Sequence, residues 1–293
     1  MNVSPVTINR TVDALHHQLV NYAPKLPTAL SFDEVRTTNH QMSFIAIDAQ
    51  TSKISTFLPG RKSQDVISYF ERHYSLTERQ AVKSIVIGFN AAYQSFIKRV
   101  FPNAIVVADR FHLVQMLERV INQARVQLMR QYDSKSYEYR LLKHHWKLFL
   151  KHPNALETKK PQWFTHLRNH LTQEQLIETA LGFNQEFAVV YATCHGIIDA
   201  LKLGQNSQVT DLINHSQTVN IGLSTVLSTL KKNLKAVCEA ICSLLSNGRI
   251  EGVNRKIKQI IRTAYGYRNW QHLRDRIMIE FSLKTKKERP IRK

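Results

Sequence analysis

A change of hydrophobic period at Phe111 constrains the fold more than any other feature of the chain. Before it, LSFDEVRT, MSFIAIDA and KISTFLPG are short β-rich runs separated by the turn-like pairs Asn39-His40 and Thr51-Ser52, a pattern that predicts three strands in a meander. Ser63 to Tyr74 reads as a helix, VKSIVIGF as a buried strand, Ala91 to Val100 as a helix and AIVVADRF as another apolar strand. Strands followed by helix and strand in alternation predict an α/β fold, a mixed sheet with helices on its faces. After Phe111 the period becomes helical, with Leu113, Leu117, Val120, Ala124 and Leu128 stepping by three and four. HHWKLFLKHP, QWFTHLRNHL, QEFAVVYATCHGIIDALKL and GLSTVLSTLKKNLKAVCEAICSLL continue it, with turns near Pro153, Pro161 and Gly204. A large all-helical insertion over residues 113–245 is expected.

Charge narrows the class of partner. The 293 residues are 43% apolar, enough for a real core, and carry 41 Lys and Arg against 22 Asp and Glu, a net of +19. Such an excess attracts polyanions and favours nucleic acid. From Arg249 to Lys293 there are 14 Lys or Arg against four acids, so the C-terminal end is the electrostatic footprint, and KTKKERPIRK reads as a tail adding non-specific affinity. The three cysteines, Cys194, Cys238 and Cys242, form neither a disulfide framework nor a CxxC zinc site. Cys238 and Cys242 are expected to be buried thiols on one apolar helix face. No apolar run reaches the length of a membrane span and no signal pattern opens the chain, so a cytoplasmic protein is expected. His144, His145, Trp146 and Trp163 read either as nucleic-acid contacts or, more commonly for such residues, as partly buried amphipathic side chains.

The run from Ser246 to Trp270, SNGRIEGVNRKIKQIIRTAYGYRNW, carries the densest information. On a helix, Ile250, Val253, Ile257, Ile260 and Ile261 share one arc that can dock on a core, and Glu251, Arg255, Lys258 and Arg262 share another face. Asn247 and Gly248 stand where a turn and helix start belong, and Gly266 interrupts the run. Taken alone, Glu251 is readily explained by an ion pair with Arg255 one turn on. The DNA contacts expected here are Arg249, Arg255, Lys256, Lys258, Arg262, Tyr267, Arg268 and Trp270, because distributed cations suit phosphates and aromatic rings stack on unpaired bases; a solvated basic helix is the alternative.

SFDE, NAAYQSF, FPNAIVVADRFHLVQ, SNGRIEG, NRKIK and YGYRN together resemble the signatures of the ISL3 family of insertion-sequence transposases, over about Leu30 to Phe281. The resemblance implies a ribonuclease-H-like core and an acid triad that holds Mg2+ or Mn2+ for DNA strand cleavage and transfer. It also implies transposon ends and target DNA as partners, bound by a homo-oligomer. Asp33 and Glu251 match the family's first and last catalytic acids. The second acid normally ends the strand before NAAYQSF, and Gly88 stands in its place. Asp109 in VADRFH is the obvious substitute, with helix capping near Phe111 as its alternative role. The candidate catalytic and metal-binding set is therefore Asp33, Glu251 and Asp109. Glu34 and Asp48 are weaker candidates, Asp48 reading as turn chemistry, and His112 reads as packed or as orienting a carboxylate. Strand cleavage is expected to be severely reduced; a catalytically inactive DNA-binding relic or regulator of transposition is the rival reading.

Residues 1–24 read as the remnant of a helix-turn-helix, with Thr11, Leu15 and Leu19 on one helical face and Pro24 and Pro27 marking a linker. The family's upstream cysteine-rich module has no counterpart, which suggests an N-terminally shortened member. Residues 25–112 are expected to form the first part of the catalytic core, 113–245 the insertion, and 246–293 the helix completing the core plus the basic tail. Asn90 is placed to cap the helix beginning at Ala91.

Overall fold

A computed structural model describes residues 4–16, 23–88, 91–243, 245 and 247–284. Leu19, Asn90 and the tail beyond Lys284 lie outside them, as does the side chain of Leu15. The chain divides into two compact units, the first made of Met1–Asp109 with Ser243–Lys293 and the second of Arg110–Cys242.

The first unit begins with α1 (Pro5–His16) and the meander β1 (Ala29–Arg36), β2 (Met42–Asp48) and β3 (Ile54–Leu58). α2 (Ser63–His73), a short α3 (Leu76–Gln80), β4 (Ser84–Ile87), α4 (Ala91–Val100) and β5 (Ile105–Ala108) follow. The sheet order is β3-β2-β1-β4-β5; β1 runs antiparallel to β2 and parallel to β4, which is parallel to β5. The FIAI run of β2 has no polar face because both its faces are covered. Phe44 and Ala46 join Leu30, Phe32, Ile85, Ile87 and the apolar sides of α2 and α4 in one core, while Ile45 and Ile47 look into another. Phe32 is the hub of the first core, with Phe44, Phe70, Phe101 and Tyr93 rings 5.1 to 6.4 Å away.

The second unit contains α5 (Arg110–Met129), α6 (Tyr137–His144), α7 (Trp146–Leu150), β6 (Gln162–Phe164), β7 (Asn169–Leu171), α8 (Gln173–Leu181), α9 (Gln185–Lys202), α10 (Asn206–His215), α11 (Ile221–Lys232) and α12 (Leu234–Cys242). α5 and α9 pack together, and Leu113, Leu117, Val120, Ile121, Ala124 and Leu128 are the buried side of α5. The unit is not all-helical: QWFTHLRNHL, read as helix, is the antiparallel hairpin β6-β7. Phe164, Leu167 and Leu171 have helical spacing, but a tight turn over residues 165–168, with Arg168 at φ 51°, brings Phe164 and Leu167 onto the buried side. Cys194 is buried, and burial pushes its thiol up to about 12. The other two cysteines correct the expectation of buried thiols. Cys238 is half-buried and Cys242 exposed, because α12 ends at Cys242, where its inward stripe runs out. Trp146 and Trp163 are 41% and 54% exposed, further out than amphipathic packing requires.

The chain returns to the first unit with α13 (Gly248–Thr263) and α14 (Trp270–Lys284). Ile250, Val253, Ile257 and Ile260, with Leu273 and Ile277 of α14, cover Val35, Ile45, Ile47 and Phe57 on the second sheet face, and Ile261 packs partly buried at its edge. Gly266, at φ 98°, ends α13: its N–H donates to Ile261 O at 2.8 Å, a left-handed cap open to glycine. No helix among the described residues is long and apolar enough to cross a membrane.

Candidate active site

Parallel strands end together, and the sheet's carboxyl edge is where α/β folds gather chemistry. Ser31 is in register with Val86 and Ile87 with Ala108. Continued past the strand ends, that register sets Asp33, Gly88 and Asp109 side by side on β1, β4 and β5. The Asp109 N–H follows it, donating to Ile87 O at 2.9 Å. Gly88 is thus the middle position of three, flanked by an acid on each side.

The pleat decides which way each acid points. Ser31, Asp33 and Val35 alternate with Phe32 and Glu34 along β1, and Val35 lies in the core beneath α13. Asp33 accordingly meets that helix, its Oδ2 accepting from Asn254 Nδ2 at 2.7 Å and its Oδ1 from the Glu34 N–H at 2.8 Å. Glu34 points the other way, accepting from Tyr93 OH at 2.9 Å and from Arg61. Burial and the neighbouring Glu34 carboxylate push the Tyr93 phenol upward, so it stays a donor. Asp48 holds the β2-β3 turn, accepting from Gln50 N at 2.8 Å and Thr51 Oγ1 at 2.6 Å.

α13 carries Glu251 in its first turn. A carboxylate oxygen of Glu251 and one of Asp109 lie within 4.8 Å of each other. Asp109 is 1% exposed, and the Asn247 N–H approaches its Oδ1 at 3.4 Å. Asn247 does not cap α13 with its side chain; its Oδ1 accepts from Ser31 Oγ, which ties the start of the helix to β1. Asp33 falls outside the 4.8 Å cluster and is held one turn further along α13 by Asn254.

These donors fit a hard divalent cation. Asp33, Asp109 and Glu251 all offer oxygen, the ligand type magnesium and manganese prefer. Asn254 and Asn247 are 6% and 0% exposed, yet Oδ1 of the first and Nδ2 of the second are buried without a hydrogen-bond partner. A buried amide oxygen left unsatisfied costs stability, and one beside Asp33 has a natural partner in a cation or its water. Asn247 was read from the sequence only as a helix start and Asn254 not at all; the available signal was that Asn254 follows Glu251 by three residues, on the same side of the helix.

The basic face divides in two. Arg249, Arg255, Lys258, Arg262 and Arg268 are exposed. Lys256 instead pairs with Glu280 at 2.9 Å. Trp270 stacks on Phe57 with centroids 5.6 Å apart and donates to Ser43 Oγ at 3.3 Å, so one ring face is spent on the core, against which Tyr267 also packs. Lys258 and Tyr267 line an open groove with Arg36 and His40. Arg36, His40, named in the sequence only as a turn residue, and the fully exposed Tyr265 at φ 55° were not among the DNA contacts expected from the sequence.

A helix bringing Glu251 thus closes over a sheet edge that bears Asp33 and Asp109. Residues 30–277 match the family model of the ISL3-type DDE transposases, described as a transposase, and the chain belongs to that family. It is 24% identical over 239 residues to the transposase for insertion sequence element IS1001 of Bordetella parapertussis, covering 80% of this chain and 55% of that protein. It is also 26% identical over 121 residues to a Lactococcus lactis subsp. lactis protein named ATP-dependent protease, covering 41% of this chain and 39% of that one. The chain therefore spans about half the length, or less, of these relatives. No solved structure matches it significantly.

Proposed function

We propose that the chain is the ribonuclease-H-like core of an insertion-sequence transposase, that it acts on DNA by metal-dependent strand cleavage and transfer, and that glycine at position 88 weakens that chemistry. The observation that carries the reading is the approach of Asp109 to Glu251 within 4.8 Å, beneath the same helix that meets Asp33. The sheet order β3-β2-β1-β4-β5, antiparallel from β3 through β1 and parallel from β1 through β5, supports the fold assignment.

Bound divalent ions would activate the attacking oxygen and stabilise the leaving one. Asp33, Asp109 and Glu251 would hold them, while the Asn254 amide orients Asp33 and Asn247 fixes Asp109 relative to the start of α13. Arg249, Arg255, Lys258, Arg262 and Arg268 would lie along DNA phosphates, with transposon ends and target DNA as partners and a homo-oligomer as the working assembly. Added salt then weakens binding steeply, since each neutralised phosphate releases counterions.

Gly88 favours a second reading, a DNA-binding regulator or relic without cleavage. Nicking of duplexes carrying the element's own ends, with manganese, separates the two. The transposase reading expects slow nicking that Glu251→Gln abolishes and Gly88→Asp accelerates. Tight end binding with no nicking in either the unaltered chain or Gly88→Asp supports the regulator, and absence of DNA binding removes both.

A further inference from the structure

The second unit bears a basic, aromatic surface that the acid site does not use. In residues 137–172 seven Lys or Arg stand against two acids, Glu138 and Glu157. The β6-β7 hairpin is anchored by buried Phe164 and Leu167. Its opposite side presents Trp163 and His170, a directly paired couple across the two strands with ring centroids 5.0 Å apart. Trp163 is 54% exposed, which leaves an amphipathic ring open to a partner.

The hairpin is held, not loose. His166 in its turn stacks on His144 at the end of α6, centroids 3.6 Å apart and planes 8° from parallel. His145 packs edge-on against Phe164 at 4.9 Å. Exposed cations flank the indole in sequence and along the strands: Lys159 and Lys160 lead into β6, and Arg168 sits in the turn. A rigid aromatic platform among cations suits a nucleotide, whose base offers a π-face and whose phosphate offers charge. Bases within a duplex are already stacked, so an unpaired base is the better match.

We propose that this hairpin is a second DNA contact, in which Trp163 stacks on an unpaired base at a strand end while Lys159, Lys160 and Arg168 take the adjoining phosphates. The choice of DNA over RNA rests on the transposase reading; the surface itself does not.

The test is equilibrium binding of the full chain, in EDTA so that no strand is cut, to a labelled duplex with a short single-stranded tail and to the same duplex made blunt. The unaltered chain binds the tailed DNA more tightly. Trp163→Ala lowers that affinity by about 5- to 100-fold and leaves blunt binding unchanged, and Trp163→Phe recovers most of the loss. Lys159→Ala with Lys160→Ala weakens both and flattens the salt dependence. Equal binding of tailed DNA by Trp163→Ala and the unaltered chain overturns the proposal, as does an equal loss on both DNAs or a preference for a single-stranded RNA of the same sequence. If the arm alone is wrong, DNA binding survives in every Trp163 variant; if no variant binds any DNA, the transposase reading fails with it.

Discussion

Asn254 donates to Asp33 across 2.7 Å, although 221 positions separate them along the chain. This bond fixes α13 on the first strand, one turn from Glu251, and places a half-buried carboxylate under the control of a helix that arrives late in the sequence. Stability and the proposed metal chemistry are therefore joined at one side chain.

Asn254→Ala is expected to lower stability by about 1.5–3 kcal/mol, the range for a hydrogen bond to a charged group, measured by urea unfolding in EDTA. Asn254→Asp sets two carboxylates together and is expected to cost more without metal, then regain part of the loss with manganese. An unchanged midpoint for both variants would show that the bond contributes nothing.

Gly88→Asp supplies a carboxylate between Asp33 and Asp109. Manganese affinity is expected to rise at least tenfold, about 1.4 kcal/mol, read from the fraction of free ion by electron paramagnetic resonance. No change would mean that the strand-end register does not direct the new side chain toward the acids.

Burial pushes His145 down to about 4, with His166 and His144 adding repulsion. In the unfolded chain it titrates near its ordinary value of about 6.5. Between these values the unfolded state holds a proton the native state does not, so stability falls as pH drops from about 6.5 to about 4 and this contribution is constant below. Thermal unfolding across that window should show the decline, and His145→Gln should reduce its slope.

Ile257 is fully buried beneath α13, and Lys258 beside it is exposed. Ile257→Ala should cost about 2–5 kcal/mol in chemical unfolding through the cavity it leaves. Lys258→Ala should change stability by no more than about 0.5 kcal/mol and reduce the salt slope of DNA binding by about 1. The reverse pattern would exchange the two faces of the helix.

The sheet and the docking stripe of α13 were legible because burial on both sides or one side writes itself as period. LSFDEV, MSFIAID and ISTFL could only be strands, and Ile250, Val253, Ile257 and Ile260 could only be one face of a helix. Asp33, Asp109 and Glu251 stood out as candidates through their motifs. What joins them did not: Asn247 precedes and Asn254 lies inside a basic helix, and nothing local reveals that their partners are Ser31 and Asp33, 216 and 221 positions away. QWFTHLRNHL misled for a different reason, since Phe164, Leu167 and Leu171 fit a helical stripe and a tight hairpin equally well. Trp270 and Lys256 looked like DNA contacts by composition; their packing on Phe57 and pairing with Glu280 depend on how α14 returns across the sheet.

The most direct test is calorimetric titration of the full chain with manganese, alongside Glu251→Gln, Asp109→Asn and the surface control Arg255→Gln. Saturable uptake that the two carboxylate variants lose and Arg255→Gln retains is the predicted result. Equal uptake by all four proteins, or none by the unaltered chain, would contradict a metal centre at Asp109 and Glu251.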